Sequence, residues 1–139
     1  MAAFNKFNVF TYDALAGKHD FTADSLKVAL TNTAPTATDT TFSSLTEISA
    51  GNGYTAGGTA SGTVTLSTSS GTAKLTCADI VFTASGGSIG PLQYAVLYND
   101  TDVTKPLIGY WDYGSSITLA DGETLTIDFD GTNGVLTIT

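Results

Sequence analysis

The sequence predicts a single all-β domain over residues 1–139, a β-sandwich with about ten short antiparallel strands. Threonine supplies 25 of the 139 residues and alternates with aliphatic residues, as in Thr63-Val64-Thr65-Leu66-Ser67. Such β-branched side chains suit a half-buried strand. Apolar runs recur about every 8–12 residues between Gly, Pro, Asn and Asp, which is typical of sandwiches and barrels. No segment has the periodicity of a core-forming helix.

The first predicted element is an extended N-terminal arm within residues 1–13. Phe4 and Phe10 fall on one phase of an alternating pattern and Phe7 falls on the other. Both a strand with two used faces and an arm lying on a neighbouring protein would produce this pattern. Because aromatic anchors dominate interface energies, the arm is a candidate contact element. Its candidate interface residues are Phe4, Phe7, Phe10 and Tyr12.

A clean strand pattern at Leu26–Thr31 is followed by a long irregular insertion, residues 36–62. Its piece Ser43–Ile48 fits a single helical turn and a strand about equally well. Segments of this length without periodicity are uncommon in compact domains unless they are functional or ordered by a partner. We therefore expect contacts here, and the Gly-rich part of the insertion supplies Asn52 and Tyr54 as further interface candidates.

The rest of the chain consists of nearly continuous strand signals. Leu92–Asn99 is apolar on both faces, which indicates a central strand. Asp121-Gly122 and Asn133-Gly134 are dipeptides that tight hairpins favour. The predicted strands after residue 62 are Thr63–Ser67, Thr72–Cys77, Ile80–Ala84, Leu92–Asn99, Leu107–Asp112, Ser116–Leu119, Glu123–Phe129 and Val135–Thr139.

Charge and hydropathy narrow the range of partners. The net charge is −8, from 13 acidic residues against 5 lysines and no arginine. This balance argues against a phosphate-binding surface, so no nucleic-acid partner is expected. No run approaches the ~18 apolar residues of a membrane span, so no membrane partner is expected. The single cysteine, Cys77, cannot form an internal disulfide and is expected to be a small buried residue.

The motifs that resemble catalytic or metal-binding sites fail on their context. Gly86–Gly90 fits the nucleophile elbow G-x-S-x-G, but Pro91 and a strand follow instead of a helix, and His19 is the only histidine. The glycines of Gly51–Gly58 lack the spacing of a nucleotide loop. The aspartates at residues 100–102 and 128–130 lack EF-hand spacing and suit turns, with calcium binding as the alternative interpretation. The sequence predicts no enzyme, no cofactor and no metal site.

Two aromatic residues raise a glycan-binding alternative. Alternation places Trp111 and Tyr113 on one face of a strand, opposite Tyr110. An exposed aromatic pair on a β-sandwich can stack on sugar rings, whereas core packing is the ordinary role of such residues. Both interpretations stay open on sequence grounds, and burial of Trp111 would remove the glycan platform.

Several stretches together resemble a family of small virion proteins of tailed phages. The G-N-G-Y-T-A-G-G segment at residues 51–58 is the most specific of them, and the pieces cover most of the chain in order. The matching stretches are residues 24–31, 51–58, 94–100, 106–114, 122–129 and 134–138. The resemblance implies a non-enzymatic decoration, or cement, protein of the capsid with a jelly-roll-like fold. A tail or head-fibre component is the alternative.

This resemblance supplies the expected partners and location. The partners would be the major capsid protein and further copies of the same chain, which would be synthesised in the cytoplasm of the host bacterium and located on the virion surface. The expected mechanism is bridging of capsid subunits by many weak contacts. If the N-terminal arm makes those contacts, deletion through Tyr12 should leave a folded domain that no longer coats capsids.

Overall fold

The computed structural model describes residues 3–139 and is mainly β-structure. A short α-helix, α1, spans Asn8–Leu15, and one 3-10 turn spans Phe42–Ser44. The strands are β1 (Phe4–Lys6), β2 (Leu26–Thr31), β3 (Thr59–Ala60), β4 (Val64–Ser69), β5 (Thr72–Cys77), β6 (Ile80–Thr83), β7 (Ile89–Asn99), β8 (Leu107–Leu119), β9 (Thr124–Ile127) and β10 (Leu136–Ile138). The all-β prediction is confirmed.

The strands form three antiparallel sheets. Five strands follow the order β1-β8-β7-β2-β3, three follow the order β10-β5-β4, and β6 pairs with β9. The long strands β7 and β8 form the centre of the largest sheet, as the apolar pattern of Leu92–Asn99 predicts. All pairings in these sheets are antiparallel. The jelly-roll likeness stays a prediction.

The main core lies between one face of the five-stranded sheet and the two smaller sheets. Leu26, Val28 and Leu30 of β2 are almost fully buried there, on one face as their alternation predicts. Leu75 of β5 and Phe82 of β6 belong to the same cluster. The sheets therefore pack as layers around one apolar interior.

The opposite face of the five-stranded sheet carries a second, smaller core. Val96 and Tyr98 of β7 lie in it, and the ring of Phe42 packs against Tyr98 with centroids 4.7 Å apart. Phe42 and Leu45 come from the irregular insertion. Residues 36–62 thus include a cover for this face, which explains how a segment without strand periodicity contains apolar side chains.

The predicted extended N-terminal arm is wrong. Residues 4–6 form β1, which pairs with β8, and the chain then turns into α1. Phe7 is fully buried and Phe10 is 3% exposed. The three-residue spacing of Phe4, Phe7 and Phe10 fits helix geometry after Phe7, a period that an alternating interpretation misses.

The predicted hairpin positions also need correction. Asp121-Gly122 and Asn133-Gly134 do form turns, but they connect strands that pair in different sheets. The two-residue hairpin lies at Ser70-Gly71, between β4 and β5, where both residues have positive φ (50° and 81°). That pair of left-handed residues matches the twist of the flanking strands. The predicted strands Leu107–Asp112 and Ser116–Leu119 are one continuous strand, β8.

Candidate functional site

Tyr54, a predicted interface residue, is buried and fastens the irregular insertion to β2. Its hydroxyl donates to Glu47 Oε1 at 2.6 Å and accepts the N–H of Leu30 at 3.0 Å. The same carboxylate oxygen accepts the N–H of Gly57 at 2.6 Å. Burial, and then the hydrogen bond to Glu47, raise the pKa of Tyr54 far above its usual range. With 3% of its surface exposed, Tyr54 stabilises the fold and cannot contact a partner directly.

Asn52 is exposed but is also tied to its neighbours. Its side-chain amide donates to the carbonyl of Ser88 at 3.0 Å, and its own carbonyl accepts the N–H of Ser85 at 2.9 Å. Its φ of 56° lies in the left-handed region, which Asn tolerates better than most residues. Asn52 therefore holds the loop before β7 in place and remains accessible on the surface.

Among the four predicted N-terminal anchors, only Tyr12 is well exposed. Phe4 is half-buried and its ring lies 5.2 Å from that of Trp111, while Phe7 and Phe10 belong to the cores. Tyr12, on α1, has 72% of its surface exposed. The interface assignment is therefore wrong for Phe7 and Phe10, because their side chains are already covered by this chain.

The glycan platform at Trp111 and Tyr113 is not formed. Trp111 is 6% exposed and lies between the rings of Phe4 and Phe129, at 5.2 and 5.5 Å. Tyr113 is half-buried on the same side of β8, opposite Tyr110, as alternation predicts. Since the ring faces pack internally, a sugar cannot stack on Trp111. The adjoining cleft of about 190 Å³ is smaller than the roughly 300 Å³ at which ligand pockets begin.

An apolar groove between α1 and β10 is a candidate contact surface. Its volume is about 390 Å³. Leu15 and Ile138 flank it with 89% and 52% of their surfaces exposed. The lining residues are Lys6, Phe10, Thr11, Ala14, Leu15, Leu136, Thr137 and Ile138.

Sequence reasoning missed Leu15 and Ile138. The exposure of Leu15 could have been predicted from a helix at residues 8–15. In that helix Phe10 is buried in the core and Leu15 is exposed. The signal for Ile138 was weaker, because its strand pattern predicts one buried face without saying which element covers it. The groove arises because β10 pairs with β5 beside α1. Local periodicity does not predict which distant strands will pair.

The only histidine packs inside an aromatic stack. The ring of His19 lies 5.4 Å from Phe21 and 5.3 Å from Phe10. The side-chain nitrogen of Asn99 lies 3.1 Å from Nδ1, and it also donates to Asp24 Oδ2 at 2.6 Å. Burial lowers the pKa of His19, although the carboxylate of Asp13 acts in the opposite direction. His19 is thus a packing residue of this aromatic stack.

The aspartate-rich turns use their carboxylates locally. Asp130 accepts the backbone N–H groups of Thr132 and Asn133, and these bonds hold its pKa below the usual range. Asp100 forms ion pairs with Lys27 and Lys105. Within residues 3–139, no three His, Cys, Asp or Glu side chains converge as a metal site would require. These turns show the capping role that Asp ordinarily has.

Comparison with protein-family models, with curated proteins and with solved structures found no significant match. Among the described helices, none is long and apolar enough to cross a membrane.

Proposed function

We propose that the chain is a structural, non-catalytic protein of a tailed-phage virion, which decorates the capsid and stabilises it by bridging subunits of the major capsid protein. The observation that carries the proposal is the apolar groove between α1 and β10, with Leu15 and Ile138 exposed beside it. The resemblance to small virion proteins supports the same conclusion and supplies the class of partner.

The groove suits a protein partner better than a small ligand. Leu15 is almost fully exposed on α1, and Tyr12 is exposed one turn earlier on the same helix. Such side chains gain most from a surface that covers them, at about 25 cal/mol per Å² of apolar area buried. Apolar side chains exposed together in this way mark interaction sites in soluble proteins.

The charge around the groove limits the chemistry of the partner surface. Among the described residues that line the groove, Lys6 is the only charged one, in a chain of net charge −8. Its ammonium group donates to Thr11 Oγ1 at 2.8 Å and stays at the surface. A capsid surface with apolar side chains and one carboxylate would match the groove. Many such contacts on one shell would make weak individual binding sufficient.

The test uses capsids of the encoding phage prepared without this protein. Purified chain is added and the bound fraction is measured by co-sedimentation. Leu15→Asp should weaken binding at least about tenfold, since it places a charge in the centre of an apolar contact. Val103→Asp is the matched control, because Val103 is 94% exposed and does not line the groove.

Both variants change exposed residues and should melt at the wild-type temperature. Equal binding of the two variants would show that the groove is not the contact surface. Binding to purified tails with none to shells would overturn the decoration role in favour of a tail or fibre component. A second measurement compares heated capsids with and without the protein, and decoration predicts a higher disruption temperature for the coated shells.

A further inference from the structure

The strand β4 has one edge that pairs with no other strand within residues 3–139. It stands at the end of the three-stranded sheet and pairs only with β5. Val64 is half-buried and the other five residues of the strand are exposed, including Leu66 with 45% of its surface accessible. An open edge of six residues is a template for another strand.

The hydrogen-bonding groups on this edge can be identified from the ladder with β5. The N–H of Ala78 donates to the carbonyl of Thr63, so the backbone N–H and C=O groups of Thr63 point toward the β5 side. In an antiparallel pair, the residues that face the partner alternate with those that face away. The N–H and C=O groups of Val64, Leu66 and Thr68 therefore point outward.

This edge lacks the features with which proteins protect exposed strands. Lysine, proline and β-bulges usually block edge-to-edge pairing. The register of β4 with β5 is unbroken, and residues 48–73 contain no charged side chain. Three other edge strands are shorter or charged: β3 has two residues, β1 ends in Lys6, and β9 lies between Glu123 and Asp128.

The sequence of β4 is complementary to itself about Leu66. If two copies of the strand run antiparallel with Leu66 opposite Leu66, then Val64 faces Thr68 and Thr65 faces Ser67. Each pair joins side chains of similar shape or two hydroxyl groups, and no like charges oppose each other. Two chains of charge −8 repel over most surfaces, so an uncharged edge is a favourable place for them to meet.

We infer that β4 is a homotypic pairing strand: two copies of this chain join β4 to β4 around a two-fold axis at Leu66 and form a continuous six-stranded sheet. The outward groups of three residues on each strand supply about six backbone hydrogen bonds. This contact concerns the chain and its own copy, so it stands independently of capsid binding.

The pairing should be weak in solution. Edge pairing buries much less surface than the roughly 1,200 Å² at which stable interfaces begin, so we expect a dissociation constant between about 10 μM and about 1 mM. Added salt should strengthen dimerisation by screening the repulsion between two acidic chains.

The test measures oligomeric state by sedimentation equilibrium over that concentration range, without capsids. Wild type should dimerise, whereas Leu66→Lys and Leu66→Glu should each stay monomeric, because each places like charges opposite each other at the axis. An equimolar mixture of the two variants should form a heterodimer. Thr126→Lys, at an exposed position on β9, is the control and should dimerise like wild type.

Amide hydrogen exchange locates the contact without any substitution. In wild type, the N–H groups of Val64, Leu66 and Thr68 should exchange fast at low concentration and become protected at high concentration. Those of Thr65 and Ser67, already paired with β5, should be protected at both. A wild-type chain that stays monomeric throughout would overturn the inference. So would charge variants that still dimerise like wild type, since the contact would then lie elsewhere.

Discussion

Tyr54 of the irregular insertion and Leu66 of the strand β4 differ strongly in how far their side chains are buried. Tyr54, in the insertion, is 3% exposed and bonded through its hydroxyl on two sides. Leu66, at the centre of β4, is 45% exposed, and its own backbone groups point away from β5. The irregular insertion, although mostly exposed, is therefore anchored in the core at Tyr54, whereas the regular strand β4 lies at the margin of its sheet.

The difference has a physical origin in backbone hydrogen bonding. A buried irregular backbone must satisfy its N–H groups with side chains, and Glu47 does this for Gly57. An edge strand needs only one neighbour, because water satisfies its outer groups. A regular strand conformation thus depends on how the backbone is hydrogen-bonded. The burial of the side chains depends instead on which other element covers them.

A matched pair of glycine substitutions, one in each region, should give the largest difference in the free energy of unfolding. Gly58, in the insertion, has φ +83°, and a Cβ there would overlap the carbonyl oxygen of Val28. Gly71, in the β4–β5 hairpin, has φ +81° with nothing within 4 Å of an added Cβ. Gly58→Ala should lower the free energy of unfolding by about 3–5 kcal/mol, and Gly71→Ala by only about 1–2 kcal/mol.

Urea denaturation of both variants measures the difference. The two glycines share nearly the same φ, so the backbone strain cancels and the remainder reports the overlap with β2. Equal losses would mean that the insertion does not pack against β2 in solution, and the contrast between the two regions would fail.

Removing the Tyr54 hydroxyl should have the next largest effect. Tyr54→Phe leaves the ring in place but deprives the buried Leu30 N–H of its acceptor and Glu47 of a donor. An unsatisfied buried group costs about 1–3 kcal/mol, which should appear as a lower urea midpoint. Tyr12→Phe, at a site 72% exposed, is the control and should change nothing measurable. A wild-type midpoint for Tyr54→Phe would mean that the insertion is not held by this hydroxyl.

The same substitution predicts a pH dependence. Burial raises the pKa of Tyr54 above its ordinary value of 10.0, so the unfolded chain releases this proton first as pH rises. The stability that the hydroxyl provides is therefore present below pH 10.0 and is lost above it, by about 1.4 kcal/mol at about pH 11. Denaturation at neutral pH and at about pH 11 should show the gap between wild type and Tyr54→Phe shrinking. An unchanged gap would place Tyr54 in water.

Local periodicity was enough to predict β2 and most of the strands after residue 62, but not their partners. The bounds of β2 and β5 agree with the sequence, because alternation and turn residues act within one strand. The turns at Asp121-Gly122 and Asn133-Gly134 join strands of different sheets, since β9 pairs with β6 and β10 with β5. Strand pairing depends on tertiary packing, which adjacent residues do not encode.

The candidate site was harder to predict than the fold for the same reason. Aromatic side chains serve a core and an interface equally well, so Phe7 and Phe10 could not be assigned without knowing that residues 8–15 are helical. The exposure of Leu15 follows from that helix. The open edge of β4 follows from the sheet order alone.

The smallest expected effect lies at Leu66. Leu66→Thr keeps a residue that favours strands and removes only a half-exposed apolar side chain, so in dilute solution the free energy of unfolding should change by less than about 0.5 kcal/mol. Urea denaturation at a concentration well below dimerisation measures this value. A loss of about 2 kcal/mol would show that Leu66 is covered within its own chain, and β4 would then belong with the insertion as part of the core. A small loss in dilute solution that grows with protein concentration would instead place its apolar contact between chains, because stabilisation by a partner depends on that partner's concentration.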